Sequence, residues 1–388
     1  MKRVGHLYDK LVSDENLGKA IDEVNRTHHW RSKHRPNPTS AWVEITKQDR
    51  IKDLRRIIES GFVQKNPRIV ERYDSSARKI RMISEPKQWP DQYVHHALIQ
   101  VLYPAFMRGM DAYCCGSIRN RGTHYGKRAI EKWLKNPKST RYELSGDIRH
   151  FYDSLKTDVV MDRMKRLVKD FRVLDLIQRV LKDGVLIGAY TSQWFANVTL
   201  QPLDMMIRQS GLCSHYMRYM DNLTIFGPNK RSLKRLKVLI EIWLQNHQLE
   251  LKGNWQIFPT RGISQTGRTP DAVGYRYGRN KKGNVFVIPR KFNFLRLKRK
   301  VAVYHKKIRC GKPVHHTTAA GLLSRLGQVN HCNNCNIYKI LYKGGKISRP
   351  LKRIVRTNQR KENLKWSTFL ELIREKKYSK QKAVDILP

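Results

Sequence analysis

Two apolar and aromatic runs flank the polar pair Asp221 and Asn222 within residues 216–227. This pattern predicts a β-hairpin, because β-branched and aromatic residues favour strands while Asp and Asn tolerate the tight backbone of a turn. A carboxylate held at the tip of a rigid hairpin is a candidate for chemistry. Asp221 would need a second carboxylate, brought to it by the fold, to do more than occupy a turn.

A second strand is predicted where Tyr142, Leu144 and Gly146 alternate with polar residues, and Asp147 lies near its carboxyl end. Asp147 and Asp221 are 74 positions apart, enough for a helical crossover between neighbouring strands. If the strands pair, the carboxylates meet at one sheet edge and can hold two divalent ions, which sit roughly 3.5–4 Å apart in metal-assisted phosphoryl transfer. For either Asp alone, a cap or turn role is the plainer interpretation.

A basic strand and a helix start complete the candidate site. Lys79 and Arg81 alternate with apolar residues, so a strand here would present two cations on one face, which suits a triphosphate. The plain alternative is the solvated side of a strand. Thr191 and Ser192, which are good capping residues, follow a Gly-containing loop and predict a helix with Gln193 in its first turn.

Apolar residues at helical spacing predict helices in several further stretches, namely residues 17–24, 51–58, 94–101 and 322–329. Residues 31–39 are basic and contain prolines, which favours an exposed connector. Residues 113–127 are rich in Gly and Arg, which is typical of a loop that faces nucleic acid or of a long surface connection. The tail, residues 362–388, is predicted to form a terminal helix or two.

Charge is the strongest feature of the composition. The chain of 388 residues has 78 Lys and Arg against 32 Asp and Glu, a formal net charge of +46, while hydrophobic residues make up 40%. The apolar content is enough for two or three packed subdomains, and the excess of positive charge favours a polyanion, nucleic acid above all, as the partner. A membrane surface is the weaker alternative, because the sequence has neither a spanning apolar run nor a long basic amphipathic helix.

The N-terminus and the cysteines favour a reducing compartment. No apolar segment follows the basic N-terminus, which argues against a secretory signal. Six Cys in a chain of this length do not suggest a disulfide framework, so a cytoplasmic localisation is expected. Cys332 and Cys335 have zinc-like spacing, but the other pair of ligands of a structural site is missing, so free thiols are the favoured interpretation.

The C-terminal third is uniformly basic. From Ala272 through Lys361 there is not one Asp or Glu. A solvated helical face usually mixes charges of both signs, so this stretch favours contact with phosphates. Together with the loop at 113–127, it supplies the candidate nucleic-acid-binding residues, which are Arg119, Arg121, Arg290, Lys291, Arg296, Lys298 and Arg299.

Taken in order, these motifs resemble those of a reverse transcriptase. The matching segments are Lys79-Ile80-Arg81, Gly146-Asp147-Ile148, Thr191-Ser192-Gln193 and Tyr219-Met220-Asp221-Asn222. Residues 94–98, 121–124 and 187–193 look like the reverse transcriptases of diversity-generating retroelements, which are related to the bacterial group II intron and retron enzymes and carry Ser-Gln where many relatives have Gln-Gly. The resemblance covers residues 70–300, more than half of the chain.

The resemblance implies an α+β fold of the right-hand polymerase type. Residues 1–140 would form an N-terminal extension and the fingers, and residues 141–290 a palm with an antiparallel sheet packed on helices and some inserted fingers elements. Residues 291–388 would form a mostly helical, basic thumb and the tail. Within the palm, residues 272–277 resemble the strand that grips the primer end in the family.

The implied activity is that of an RNA-directed DNA polymerase from a bacterial or phage retroelement. Its cofactor would be Mg²⁺, with Mn²⁺ as the alternative. Its partners would be template RNA, nascent cDNA and a small basic accessory protein, with no membrane involved.

The resemblance assigns the metal site to the carboxylates. Asp147, Asp221 and Asn222 would be the catalytic residues, and the metal would be held by Asp147 and Asp221 with help from the Ile148 carbonyl. The family normally has a second Asp where this chain has Asn222. Asn keeps the shape and one oxygen but removes a negative charge, which weakens the binding of divalent cations. The alternative function is therefore a polymerase-derived RNA-binding or maturase-like protein that has lost its chemistry.

Nucleotide-binding roles follow from the same resemblance. Tyr152 would exclude a 2′-hydroxyl from the incoming sugar, so that DNA is made instead of RNA. Gln193 would contact the nucleotide or the template. Lys79 and Arg81 would bind the triphosphate, since cations are needed where phosphate charge accumulates. The Lys-rich turn that the family carries before its next strand is replaced here by Gly-Asn-Trp at residues 253–255.

Overall fold

The chain is a mixture of helices and antiparallel sheets, which confirms the predicted fold class at this level. The computed structural model describes residues 2–30, 35–74, 79–262, 264–333, 341 and 347–375, without the side chains of Asp74 and Lys79. In this part of the chain the strands form a two-stranded hairpin, a four-stranded central sheet and a three-stranded sheet. None of the described helices is long and apolar enough to cross a lipid bilayer.

A group of helices and a hairpin form the N-terminal part. The first helices are α1 (Tyr8–Leu11), α2 (Asp14–His28), α3 (Pro38–Ile45) and α4 (Lys47–Glu59). The hairpin consists of β1 (Arg68–Asp74) and β2 (Lys79–Glu85). A π-helical turn at Gln88–Gln92 connects the hairpin to α5 (Tyr93–Arg108), and α6 (Thr123–Trp133) follows α5 in the chain. The apolar face of α2, with Leu17, Ile21 and Val24 buried, packs on α5.

The central sheet is the scaffold of the candidate site. Its strands are β3 (Tyr142–Asp147), β4 (His215–Tyr219), β5 (Asn222–Gly227) and β6 (Gln256–Pro259). Their order is β4-β5-β3-β6, and every neighbouring pair is antiparallel. The predicted pairing of the two Asp-bearing segments is confirmed, but as an antiparallel pair and not as the parallel pair that a crossover usually joins.

Helices fill the connections of this sheet. Between β3 and β4 lie α7 (Phe151–Ser154), α8 (Thr157–Leu167), α9 (Phe171–Val180), α10 (Tyr190–Thr199) and α11 (Gln201–Gln209). After β5 comes α12 (Lys230–Asn246), which packs across β3, β5 and β6. The connection between the two Asp-bearing strands is therefore helical, as the sequence predicts.

The remaining elements are a small sheet and three basic helices. The sheet has the order β7 (Asp271–Ala272), β8 (Tyr275–Arg279) and β9 (Val285–Pro289). The helices are α13 (Lys291–Arg309), α14 (His316–Asn330) and α15 (Ser348–Glu375). The division of the chain into three domains at residues 140 and 290 stays a prediction.

Alternation along the strands gives the central sheet a different core on each face. Leu144 and Ile225 lie on one face and join the largest apolar cluster, which includes α2, α5 and α8 to α12. Met217 and Phe226 lie on the other face and pack with α6 and the three-stranded sheet. The C-terminal helices have a core of their own, and α15 also reaches α3, where Trp366 packs.

The predictions of irregular structure for residues 31–39 and 113–127 are wrong in part. Residues 31–39 are not an exposed connector throughout, because α3 begins at Pro38 and Asn37 is buried as its cap; residues 31–34 lie outside the described part. The predicted loop at 113–127 ends in α6, whose buried residues include Gly126. In both places the start of a helix replaces part of the expected surface loop.

The C-terminal predictions have mixed outcomes. Residues 272–277 do not form one strand, because a turn at Val273 and Gly274, both with positive φ, separates β7 from β8. The apolar stripe at 322–329 is confirmed as part of α14, and α15 confirms a helix in the tail. Residues 376–388, which include Asp385, lie outside the described part.

Candidate active site

The hairpin of β4 and β5 carries Asp221 at its tip. Tyr219 pairs with Asn222, and Met220 and Asp221 form the turn between them. The predicted hairpin is confirmed, but the residue in the left-handed region is Met220, with a φ of 56°, and neither Asp221 nor Asn222. Because a positive φ is uncommon for a side chain such as Met, this turn needs support from the surrounding structure.

Main-chain hydrogen bonds hold the two Asp residues beside each other. In the ladder of β3 and β5, Asp147 lies opposite Asn222. The Ile148 amide donates to the Asp221 carbonyl over 3.0 Å, and the Lys252 amide donates to the Asp147 carbonyl over 2.8 Å. The fold thus brings together residues that are distant in sequence, as the pairing prediction requires. Their catalytic role stays a prediction.

Burial and charge both act on Asp221. Burial is the largest cause that raises its pKa and the Asp147 carboxylate adds to it, whereas hydrogen bonds and Arg81 of β2 lower it. Asn222 Nδ2 donates to Asp221 Oδ1 over 3.0 Å. Arg81 is exposed, and its influence on Asp221 places a predicted triphosphate-binding cation near the carboxylates. The side chain of Lys79 lies outside the described part, so its contact stays a prediction.

The donor set fits a magnesium ion that is shared with a phosphate substrate. Among the described residues, no cluster of three or more His, Cys, Asp or Glu side chains could hold a metal ion. Mg²⁺ is commonly bound through one or two carboxylates, with waters and substrate phosphates supplying the other oxygens. Asp147 and Asp221 meet that requirement, and Asn222 offers an amide oxygen where a third carboxylate would be. A contribution from the Ile148 carbonyl stays a prediction.

Asn254 is a site residue that sequence analysis did not single out. It lies in the turn before β6, and its Nδ2 donates to Asp147 Oδ2 over 3.5 Å. Each candidate metal-binding carboxylate therefore accepts a hydrogen bond from one asparagine. In the sequence, Asn254 is visible only as part of the unusual Gly-Asn-Trp segment. Its contact arises because β6 pairs with β3.

Tyr152 lies near Asp221 and lines a cavity. His150, with a φ of 44°, turns the chain from β3 into α7, which carries Tyr152. Burial is the main cause that raises the pKa of the Tyr152 hydroxyl, and Asp221 adds to it. Tyr152, β2 and the loop at 183–187 enclose about 430 Å³, within the range of roughly 300–1,000 Å³ that is typical of ligand pockets. The Tyr152 side chain, which is predicted to contact the incoming sugar, therefore lies beside a cavity of suitable size.

The loop that precedes α10 is held against β2. The Ser84 amide donates to the Ile187 carbonyl over 2.8 Å. Gly188 has a φ of 119°, and a Cβ atom there would lie 2.6 Å from the Ile83 side chain and 2.9 Å from the Ser84 carbonyl oxygen. Only glycine fits this close approach. The contact fixes one wall of the Tyr152 cavity relative to the basic strand.

The start of α10 differs from its prediction. The helix begins at Tyr190 and the residue before it, Ala189, makes no side-chain cap. Thr191 and Ser192 are buried inside the first turn, so they are not the caps that their residue types suggest. Gln193 is exposed in that turn. Its contact with the nucleotide or template stays a prediction.

A buried polar network lies beneath the hairpin tip. Arg218 and Asp204 of α11 are both buried, and the guanidinium donates to the two carboxylate oxygens over 2.8 and 2.7 Å. The guanidinium also donates to Asn197 Oδ1 over 2.9 Å and to the Met220 carbonyl over 3.1 Å. The Tyr216 hydroxyl donates to Asp204 over 2.6 Å. One planar guanidinium thus ties α10 and α11 to the strained turn.

Comparison with known proteins identifies the domain that contains this site. Residues 63–254 match the family model described as "Reverse transcriptase (RNA-dependent DNA polymerase)". A reverse transcriptase domain is present. The chain is also similar to "Nuclear intron maturase 1, mitochondrial" of Arabidopsis thaliana, with 31% identity over 109 residues. That similarity covers 28% of this chain and 15% of the relative, so the chain matches a small part of the length of that protein.

Two of the predicted nucleic-acid contacts near the reverse transcriptase domain have partners within the protein. Arg121 Nη1 donates to the Asp111 carbonyl over 2.9 Å. Arg290 Nε lies 2.6 Å from Asp271 Oδ1 in an ion pair. Arg119 is exposed. For all three arginines, binding to nucleic acid stays a prediction.

The other predicted contacts lie on α13, beyond the matched part of the reverse transcriptase domain. Lys291, Lys298 and Arg299 are exposed, and Arg296 is partly buried. Burial lowers the pKa of Lys300, and the charges of Arg325 on α14 and Arg296 on α13 lower it further. Positive charges on these two helices therefore repel one another, which suits phosphate binding. The contacts themselves stay predictions.

Helix α15 carries a further set of cations that sequence analysis did not single out. Arg349, Lys352, Arg353, Arg356 and Arg360 line a surface groove of about 490 Å³. Their spacing of three and four places them on one face, which we name the α15 basic face. In the same turns of the helix, Leu351 and the partly buried Ile354 and Val355 lie on the opposite face, where they pack in the core of the C-terminal helices. The α15 basic face is therefore turned away from the core that holds the helix.

The predicted thiols are described only in part. Cys332 is partly buried, and burial raises its pKa to about 11. Its Sγ lies 3.8 Å from the Gln328 carbonyl, to which it donates. A zinc ligand must be a thiolate, so this environment favours the free thiol. Cys335 lies outside the described residues.

Proposed function

We propose that this protein is an RNA-directed DNA polymerase that extends a primer on an RNA template. The observation that carries the proposal is the position of Asp147 and Asp221, joined through main-chain hydrogen bonds inside a reverse transcriptase domain. The net charge of +46 supports nucleic acid as the partner. Template RNA, nascent cDNA and a small basic accessory protein are the proposed partners. The finer proposal, a bacterial or phage retroelement of the diversity-generating type, is supported by the sequence motifs at residues 94–98, 121–124 and 187–193.

The residues of the site have complementary roles in this reaction. Mg²⁺, or Mn²⁺ as the alternative, would lower the pKa of the primer 3′-hydroxyl and stabilise charge on the leaving pyrophosphate. Asp147 and Asp221 supply the negative charge that holds the metal, and the Asn222 and Asn254 amides orient their oxygens. Tyr152 would exclude a 2′-hydroxyl from the incoming sugar, and the cavity that it lines supports this role.

Primer extension on an RNA template tests the proposal. Asp147→Asn and Asp221→Asn each remove a metal-binding charge while keeping the side-chain shape, and each should lower the rate by roughly a hundredfold or more. The matched control is Asp162→Asn, because Asp162 is exposed on α8 and this variant should extend primers like the unaltered protein. Full activity in both site variants would contradict the assignment of the site.

An RNA-binding, maturase-like protein without polymerase activity is the second candidate. The similarity to a protein named as an intron maturase favours it, and Asn222 removes one charge from the metal site. Such a protein would bind structured RNA with strong salt dependence and incorporate no nucleotide with Mg²⁺ or Mn²⁺. Incorporation that Asp147→Asn abolishes would exclude it.

A further inference from the structure

Helix α12 is apolar on two opposite sides. The side that packs on the central sheet carries four buried aliphatic residues, which are Leu233, Leu236, Ile240 and Leu244. The other side exposes three more: Val238 is 50% exposed, Leu239 41% and Ile242 48%. A helix that is hydrophobic all round is normally buried all round. The second apolar side of α12 is instead open to solvent.

The exposed side chains of α12 form a continuous line. Arg231, Arg235, Val238 and Ile242 follow one another at intervals of four, three and four positions, which place side chains on one face of a helix. The line is about 17 Å long at a rise of 1.5 Å per residue. Alternating intervals of three and four also form the contact seam between two packed helices. We name Arg231, Arg235, Val238, Leu239 and Ile242 the α12 outer face.

One end of the α12 outer face is strongly basic. The first two turns of the helix hold four exposed cations and no acidic residue; the cations are Lys230, Arg231, Lys234 and Arg235. They form two like-charged pairs four positions apart, which repel each other, and positive charge is also unfavourable at a helix N-terminus. The acidic residue of α12, Glu241, pairs with Lys237 and not with these cations. A negatively charged partner would therefore stabilise this end of the helix.

We propose that the α12 outer face binds an amphipathic helix of a partner protein. The apolar stripe of that helix covers Val238, Leu239 and Ile242, and its acidic end lies beside Arg231 and Arg235. The spacing of the face selects a helix, and charge complementarity selects the acidic end. This interface is additional to the proposed polymerase activity and does not rest on it, because the buried side of α12 separates the outer face from the central sheet.

Two other occupants fit the α12 outer face less well. The phosphates of RNA would neutralise Arg231 and Arg235 but would leave the three aliphatic side chains without apolar contacts. A second copy of this chain would bring the same cations to the interface, and each copy has a net charge of +46, so the two copies repel each other. A protein helix with an acidic end meets both requirements of the face.

Binding of a synthetic helical peptide to the full chain tests the proposal. The peptide has about 18 residues, or five turns of helix, with leucines at intervals of three and four along one face and glutamates at one end. A second peptide has the same composition in scrambled order and therefore the same net charge. Measured by fluorescence anisotropy, the patterned peptide should bind at least about tenfold more tightly, because only its leucines align with the exposed aliphatic residues.

The first variant removes the apolar part of the α12 outer face. Val238→Ser/Ile242→Ser changes exposed positions, so the protein should stay folded, and the roughly tenfold preference for the patterned peptide should disappear. The matched control is Val303→Ser/Ile308→Ser, which changes the same residue types on α13, where they are 55% and 52% exposed. The control variant should keep the preference.

The second variant reverses the charge of the basic end. Arg231→Glu/Arg235→Glu should weaken binding of the patterned peptide about threefold or more at low salt, and should strengthen binding of a peptide with lysines in place of the glutamates by a similar factor. Lys165→Glu/Arg166→Glu, at two exposed positions of α8, changes the net charge by the same amount. This control should not change which peptide binds more tightly.

Three results would overturn the proposal. The first is equal binding of the patterned and scrambled peptides, or an unchanged preference in Val238→Ser/Ile242→Ser. The second is displacement of the patterned peptide by single-stranded RNA in the unaltered protein but not in Arg231→Glu/Arg235→Glu, which would make the face a nucleic-acid site. The third is dimerisation of the protein alone, measured by sedimentation, that Val238→Ser/Ile242→Ser abolishes, which would make the face a contact between copies.

Discussion

The Arg218 guanidinium lies 2.7 Å from the Asp204 carboxylate in an ion pair that is almost completely buried. Arg218 is in the strand that ends at the hairpin tip, and Asp204 is in α11. The same guanidinium donates to the carbonyl of Met220, whose φ is positive. We infer that the pair positions the turn and, through it, the carboxylate of Asp221.

The first prediction concerns the stability provided by this pair. Asp204→Asn leaves the Arg218 charge buried without its counter-ion, so the free energy of unfolding should fall by about 3–5 kcal/mol. Urea denaturation measures the change. The double variant Arg218→Met/Asp204→Leu removes both charges and should regain most of that stability.

The same double variant separates positioning from stability. It still lacks the donor to the Met220 carbonyl, so its rate of primer extension should stay low even though the protein is folded. Equal recovery of stability and rate would show that the pair is only structural.

The second prediction concerns Asn222→Asp. The change adds negative charge beside Asp221, so primer extension at limiting Mg²⁺ should increase. Without metal, Asp221 loses the amide donor, and the free energy of unfolding should fall by about 1 kcal/mol. Extension rates across a Mg²⁺ titration, with thermal unfolding at each concentration, measure both effects. Asn284→Asp, in the exposed turn before β9, is the control; extension by Asn222→Asp that is unchanged or slower would contradict the charge argument.

The third prediction concerns the pH dependence of stability. The pKa of Glu143 is about 8 in the folded protein and near 4.5 in the absence of burial, so its contribution to stability is complete below pH 4.5 and is lost as the pH rises to about 8. Relative to the unaltered protein, Glu143→Gln should gain stability with pH across this window, by up to about 1.4 kcal/mol per pH unit. Urea denaturation at pH values of about 5, 6.5 and 8, which span this window, measures the difference. If the free energies of unfolding of the two proteins change in parallel with pH, the carboxyl group is not buried as described.

The fourth prediction concerns the α15 basic face. Replacing Arg356 and Arg360 by Gln should weaken RNA binding and lower the slope of log K against log salt by roughly 0.7–0.9 for each phosphate that the protein no longer neutralises. Binding measured from low to moderate salt provides the slope. Gln substitutions at Lys361 and Lys365, which are exposed on α15 but off this face, are the matched control. If the variants on the α15 basic face and the control variants change the salt dependence of RNA binding by the same small amount, this face is not a specific phosphate-binding site.

Sequence patterns predicted the elements that depend on local periodicity. Alternation in two short segments identified β3 and the hairpin, and the residue types at their ends indicated Asp147 and Asp221. Capping rules failed at α10, where Thr191 and Ser192 are buried inside the first turn. Turn propensity likewise favoured Asp221 and Asn222, while Met220 occupies the left-handed position, because a tertiary hydrogen bond from Arg218 to its carbonyl outweighs a local preference.

The sequence by itself determined the two Asp-bearing segments, several helices, the excess of positive charge and the two candidate carboxylates, because periodicity, charge and motif order are carried by neighbouring residues. Only the tertiary structure decided which distant side chains meet: Asn254 with Asp147, and Arg218 with Asp204. These contacts depend on strand order and on how the sheets pack. A buried charge or an unsatisfied carboxyl group is recognisable only after the fold has shown what surrounds it.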